Sequence, residues 1–491
     1  MQISDYKREN SYGTILKRIS AFGGVQIFNI LINLVRGKFV ALLLGPEGMG
    51  ISSLFTSATS TMQQFGSLGL NLAMVKEVAS AKDNPQRLHQ VISVSLRLIL
   101  ITSLIGAAIC GFAAPLWSKL TFGNYDYTTS FLILAFSVAL SIGGSGYLAM
   151  LQGLGSVKRL AKASLVGGLT GLVCGVPLYY LFGVRGIVPA IILLSASTFL
   201  FYFVSFKQEK VYKSQFVAFN WKEHGKIVRK LIGLGIILMA GGLVGTAVGY
   251  VINLFVRYCG SVEDVGLYQA ANSLTNQYVG IIFSALAMDY FPRLSAIALD
   301  KDKLREVVNR QTEIVMLVVT PLILLLIITS PLVIRILLTK EFLVVTPLMR
   351  WMGLGVMIQA IAFPIGYIYL AKEDRKAYIL MELVLSNIIW VSASISGYYY
   401  WGLVGLGISL VGRGCVDILI NLIYCRHRYG FIYFRGTGAI IVVSIILGIV
   451  GFCTSFIDGT VGLMVSAGVL VISVLYSVKN IKKRLNTHSI D

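Results

Sequence analysis

The 491-residue chain is 56% hydrophobic and only 13% charged, with a mean hydropathy of +0.79 and a formal net charge of +20. Apolar runs of about 20 residues, each long enough to span a ~30 Å hydrocarbon core, recur down its length, which excludes a soluble domain. Backbone groups in lipid must bond internally, so the runs are predicted as helices and the chain as an all-α polytopic membrane protein.

Residues 1–18 are a short amphipathic lead-in; MQISDYKREN is too polar for a signal peptide. Six predicted spans follow, at 19–44, 48–74, 91–117, 129–151, 161–182 and 187–206, and make 1–206 a first six-helix bundle. Residues 207–230, rich in Lys, are predicted as a cytoplasmic linker. Spans 231–256, 265–288, 311–334, 347–370, 377–399 and 403–424 build a second six-helix bundle over 231–428. Residues 429–491 add a hairpin, 437–457 and 460–478, and a tail, for 14 transmembrane helices in all.

The two bundles read as an internal repeat. Glu47-Gly48-Met49-Gly50 aligns with Glu263-Asp264-Val265-Gly266 at an offset of 216 residues. Phe182-Gly183-Val184-Arg185-Gly186 aligns with Trp401-Gly402-Leu403-Val404-Gly405 at an offset of 219. Duplicated bundles are the organisation that this spacing predicts.

With these spans, 32 of the 42 Lys and Arg fall on the side of the N-terminus and five on the other: Lys119, Arg185, Arg257, Arg335 and Lys340. The asymmetry predicts that both termini are cytoplasmic. The basic charge is thereby topological, and nucleic acid is excluded as a partner. The six cysteines and four histidines show no metal or disulfide spacing, so no metal is assigned. No nucleotide fingerprint or catalytic triad is present, so neither cofactor nor catalytic residue is expected.

Polar residues inside spans are the functional candidates. On span one, Gln26, Asn29, Asn33 and Arg36 share a stripe about 80° wide, and Lys38 points nearly the opposite way. Span two carries a stripe with Gln63, span seven one with Asn253 and Arg257, span eight one with Asn276 and Ser284. Four helices facing one hydrated cavity would give this pattern; hydrogen-bonded glue between helices is the other reading. Arg350 opens span ten. Arg413 and Asp417, four apart on span twelve, are either a structural ion pair or, with Glu382, a protonation or cation site. Glu313 and Glu382 both sit near the cytoplasmic face, where snorkelling to water is expected. A cavity richer in cations than anions predicts an anionic cargo, and the guanidinium fork suits phosphate.

The chain resembles bacterial O-antigen translocases, in the polysaccharide-flippase branch of the multidrug/oligosaccharidyl-lipid/polysaccharide exporter superfamily. It is particularly similar to flippases of enterobacterial common antigen and O-antigen units. The resemblance covers residues 15–428 and is carried by Gly37-Lys38…Leu44-Gly45-Pro46-Glu47-Gly48-Met49-Gly50, Asp83-Asn84-Pro85-Gln86-Arg87-Leu88, Phe122-Gly123-Asn124-Tyr125-Asp126-Tyr127, Glu263-Asp264-Val265-Gly266-Leu267-Tyr268-Gln269 and Phe363-Pro364-Ile365-Gly366-Tyr367. It implies a MATE/MOP-like fold in a bacterial inner membrane. It also implies alternating access, an undecaprenyl-pyrophosphate-linked oligosaccharide as cargo and polysaccharide polymerase machinery as a partner. The family match falls on Lys38, whereas the helical phase favours Arg36. The alternatives are a cation-coupled multidrug exporter of the same superfamily and a membrane glycosyltransferase or polymerase. The second is opposed by external loops of about a dozen residues at most.

Overall fold

The computed structural model describes residues 12–209, 211, 221–457 and 459–487. The first part of the lead-in, residues 210 and 212–220 of the 207–230 linker, the end of the tail, and the side chains of Gln26 and Ser284 lie outside the described residues. Every described element is helical, and ten stretches are long and apolar enough to cross a membrane. Three of them, 28–67, 157–207 and 375–429, run 40, 51 and 55 residues and contain glycine breaks. By packing, the chain forms two compact units, 1–258 and 259–491.

The first unit begins with α1 (Tyr12–Ser67), whose register breaks at Gly45 (φ 65°, ψ −168°) before Pro46. A positive φ suits glycine, and proline cannot donate the next helical bond, so the chain turns here as the Gly-Pro pair predicts. Leu68 and Gly69 are left-handed and separate α1 from α2 (Leu70–Ala81). Then come α3 (Pro85–Phe112), α4 (Ala114–Phe122), α5 (Thr128–Gly153), α6 (Val157–Phe182), α7 (Ile187–Lys207) and α8 (Trp221–Cys259). The start of α3 is set by Asn84, whose side chain accepts from the Arg87 amide, with Pro85 next in line.

Small residues and hydroxyls hold these helices together. Gly167 and Gly171 of α6 let α7 approach closely, and Ser197 donates to the Gly167 carbonyl at 3.0 Å. Near its start, α8 is tied to α2 by Glu77: this carboxylate is 3% exposed and lies 2.6 Å from Lys230 Nζ and 3.7 Å from Arg87.

The second unit contains α9 (Val262–Ala296), α10 (Lys301–Leu337), α11 (Thr346–Ala371), the single turn α12 (Arg375–Tyr378), α13 (Ser386–Tyr429), α14 (Arg435–Thr454) and α15 (Gly459–Thr487). Ser261 and Asp264 form a reciprocal cap on α9, and Asp264 also accepts from the Tyr398 hydroxyl at 2.8 Å. Asp374 caps α12. The Ala377 amide, and then the Tyr429 hydroxyl, hold its carboxyl below the usual carboxylate range. Within α13, Gly402 (φ 58°, ψ −143°) breaks the helix, and the conformation closely matches that of Gly183 (φ 54°, ψ −132°) between α6 and α7.

Glu313 departs from expectation. It does not snorkel but is 5% exposed, accepting from Thr437 Oγ1 at 2.7 Å and pairing with Arg484 at 2.9 Å. Water would be the better partner for a lone carboxylate, but here two residues from the final hairpin replace it and pin α14 and α15 to α10. Removing both partners with Thr437→Val and Arg484→Ala leaves a buried charge without bonds. We expect a loss of about 1–3 kcal/mol, at the low end because Arg484 is half exposed. Glu313→Gln, which still accepts from Thr437, loses less. Thermal unfolding of the purified chain checks this; a double variant that melts with the wild type would remove the staple.

Candidate functional site

In the second unit, a cavity of about 380 Å³ opens among α11, α13 and the turn between α12 and α13. That turn, Ile379–Leu385, is a π-helix, in which Ser386 N–H bonds back to the Met381 carbonyl. Its extra residue per turn shifts the register of the side chains, and such turns often accompany functional sites. The wider turn displaces the Glu382 and Leu383 carbonyls. Asn387 Nδ2 donates to both at 3.0 Å and stabilises the distortion. Glu382 is thereby presented to the cavity and seated against Gly366 of α11, where any side chain would meet its carboxylate.

On the facing wall, Arg413 Nε lies 3.2 Å from Asp417 Oδ2. Ser386 Oγ donates to Asp417 Oδ2 at 3.1 Å and accepts from Arg413 Nη2 at 3.2 Å. The Arg413 guanidinium also lies 4.5 Å from the centre of the Trp390 ring, which holds it in one place. The two side chains are only 19% and 13% exposed, so their mutual attraction is screened less than at a surface. Gln359 and Asn421 supply further amides, and Asn421 Oδ1 accepts from Tyr369 at 2.5 Å. Two carboxylates and one arginine line this cavity, leaving one negative charge when all three are ionised. Oxygen donors with a surplus negative charge suit a small cation or a proton.

The structure thus brings Glu382, Arg413 and Asp417 together. Arg36 is half-buried, its Nη2 donating to the Tyr179 hydroxyl at a long 3.4 Å. On the same stripe Asn29 exchanges hydrogen bonds with Ser164 at 3.0 and 3.1 Å, which is helix glue. Asn33 and Lys38 are exposed, and Gln63 is half-buried. Asn253 is 4% exposed and its Oδ1 has no hydrogen-bond partner among the described residues. Arg257 donates to the Phe122 carbonyl and lies 4.7 Å from the Tyr258 ring centre. Tyr250, two turns before it on the same polar stripe, bonds Thr121 at 2.6 Å, so this face of α8 packs on α4. Asn276 is exposed and donates to Asn272. Arg350 lines a different cavity. Sequence reasoning missed Ser386, Gln359 and Asn421. Their types are common in helices, and only the π turn and the packing of α11 give them a shared purpose.

The sequence profile described as polysaccharide biosynthesis protein matches residues 39–347. A lipid III flippase of Escherichia coli (strain K12) is 25% identical over 369 residues, covering 73% of this chain and 86% of the relative. A putative O-antigen transporter of Shigella flexneri is 23% identical over 299 residues, 58% of this chain and 68% of the relative. Among solved structures, the lipid II flippase MurJ in an inward closed conformation superposes with a TM-score of 0.71 at 16% identity, over 96% of this chain and 99% of that one. An inward-facing multidrug resistance MATE family transporter of the MOP superfamily gives 0.70 at 16% identity, over 82% and 94%. These two similarities establish the fold.

Proposed function

The chain belongs to the polysaccharide biosynthesis protein family, and from that premise we propose that it is a flippase, a transporter and not an enzyme, that moves lipid-linked oligosaccharide units across a bacterial inner membrane. The observation that carries this is the similarity to a lipid III flippase along 86% of that protein's length, in a chain built of membrane-crossing helices. The carrier is undecaprenyl pyrophosphate, both termini are cytoplasmic, and polysaccharide polymerase machinery receives the product. The multidrug-exporter alternative has the shared fold and the two carboxylates of the Glu382 cavity in its favour.

Transport proceeds by alternating access of two six-helix bundles, 1–206 and 231–428. Counting the three glycine-broken stretches as two passes each, and adding α9, gives the fourteen helices of this reading. The matching backbone at Gly183 and Gly402 supports the repeat. So does a shared turn: Ser156 N–H bonds the Leu151 carbonyl as Asp374 N–H bonds that of Tyr369.

The pyrophosphate is held by Arg36, with Asn33, Lys38, Gln63, Asn253 and Arg257 as further contacts of headgroup and sugar. The Glu382, Arg413 and Asp417 cavity binds the coupling ion. A proton or cation there competes with Arg413 for Asp417 and so links occupancy to the position of α13. Depletion of the protein is expected to leave lipid-linked repeat units on the cytoplasmic leaflet, measured by their accessibility to a membrane-impermeant glycan-modifying enzyme in oriented vesicles. Units reaching the outer leaflet at an unchanged rate would overturn the reading.

A further inference from the structure

Glu382 enters its cavity from a helix that is wound differently for one turn. In Ile379–Leu385 the Ser386 N–H bonds the Met381 carbonyl, five residues back, instead of that of Glu382, four back. The displaced carbonyls find a donor in a side chain: Asn387 Nδ2 bonds those of Glu382 and Leu383, each at 3.0 Å. Asn387 is half-buried, so water replaces such a donor only in part. Beyond the turn, α13 is fixed from the facing wall. Ser386 Oγ contacts both Arg413 and Asp417, and the Arg413 guanidinium lies against the Trp390 ring. Before the turn, the chain seats Glu382 on Gly366, where a methyl group would come within 2.8 Å of Oε1.

We propose that Asn387 is a positioning residue for Glu382: its side-chain amide holds the π turn, and the turn holds the carboxylate in the cavity. An ordinary α register would give the Glu382 carbonyl to the Ser386 N–H and the Leu383 carbonyl to the Asn387 N–H. The side-chain amide would then have no displaced carbonyl to satisfy. Taking the extra residue out of the turn rotates the segment before it by about 100° relative to Ser386. That rotation carries Glu382 off Gly366 and away from Asp417. Asparagine is a weak helix former, so its place inside α13 is explained by these two bonds rather than by propensity. The placement of Glu382 follows from the geometry of the turn alone. Its consequence for transport rests on the coupling reading of the cavity.

The test uses the full chain purified in detergent, labelled with the cationic, water-soluble reagent ethyl(dimethylaminopropyl)carbodiimide and a small amine. A charged reagent enters a polar cavity but neither lipid nor packed helices. Trypsin releases residues 377–413, whose one carboxylate is Glu382, and residues 311–335, whose one carboxylate is Glu313 and serves as the reference. Two net hydrogen bonds correspond to a shift of roughly tenfold to a hundredfold between the two registers. Asn387→Leu keeps the size of the side chain and improves helix propensity; it should lower labelling of Glu382 about tenfold and leave Glu313 unchanged. Asn387→Ser, whose hydroxyl donates to the carbonyl four residues back, should lose only about threefold. Gly366→Ala should lower labelling severalfold in the wild-type chain and no further in Asn387→Leu, where Glu382 has already left that seat. Should Asn387→Leu fail to fold, Asn387→Ser must still show its loss. Labelling that falls as expected while transport is unchanged keeps the positioning role and removes the coupling reading. Wild-type labelling of Glu382 in the Asn387 variants, or losses that simply add with Gly366→Ala, would overturn the proposal.

Discussion

Glu382→Gln is expected to lower transport about a hundredfold while leaving the amount of folded protein unchanged. Glu382 is the carboxylate that Arg413 does not pair with, so neutralising it leaves no buried cation stranded. On the proposed coupling role, what is lost is the charge that would attract the ion. A charge-assisted contact is worth roughly 1.5–3 kcal/mol, or one to two powers of ten in occupancy. Asp417→Asn should lose as much transport and some stability too, because Arg413, only 19% exposed, then lacks its counter-ion. Exchanging the pair, Arg413→Asp with Asp417→Arg, separates the two roles. A merely structural pair recovers both abundance and transport on exchange, whereas a coupling site recovers abundance alone. Gly366→Ala provides an independent check: its methyl would collide with the Glu382 carboxylate and should reproduce part of the Glu382→Gln defect. Normal transport by Glu382→Gln at equal abundance would exclude Glu382 from coupling.

Arg36→Ala is expected to reduce transport ten- to a hundredfold, by the same arithmetic applied to a pyrophosphate contact. The residue is half-buried and its bond to the Tyr179 hydroxyl, at 3.4 Å, is long and weak, so among the described residues most of its donors remain available to a ligand. Arg36→Lys keeps the charge without the fork and should recover part of the activity. Tyr179→Phe distinguishes ligand binding from glue. If Arg36 only ties α1 to α6, removing the hydroxyl should reproduce the Arg36→Ala defect; if it holds the headgroup, Tyr179→Phe should transport nearly normally. Lys38, exposed and on the other face, should matter less than Arg36, although the family resemblance favours Lys38. Normal transport by Arg36→Ala, with failure of Lys38→Ala, would reverse that order.

What was legible in the sequence alone was local. Runs of apolar residues determine a helical membrane chain, since lipid offers the backbone no partner. The Gly45-Pro46 turn and the Asn84-Pro85 helix start follow from backbone chemistry within a few residues. The Arg413–Asp417 pair follows from helical spacing, because residues four apart share a face wherever the helix lies. Polar stripes were visible too, but what they face was not: Asn29 and Tyr250 meet Ser164 and Thr121, 135 and 129 residues away. Only the tertiary structure decided that Glu382 joins Asp417, through a π turn that no residue pattern announces and a bare Gly366 that admits the carboxylate. It also decided that Glu313 is buried by Thr437 and Arg484, 124 and 171 residues on, and that Arg335 and Arg350 share a cavity with the last hairpin. Helix formation depends on neighbours along the chain. The convergence of charges depends on which helices pack together, and that is set by shape and close approach over the whole unit.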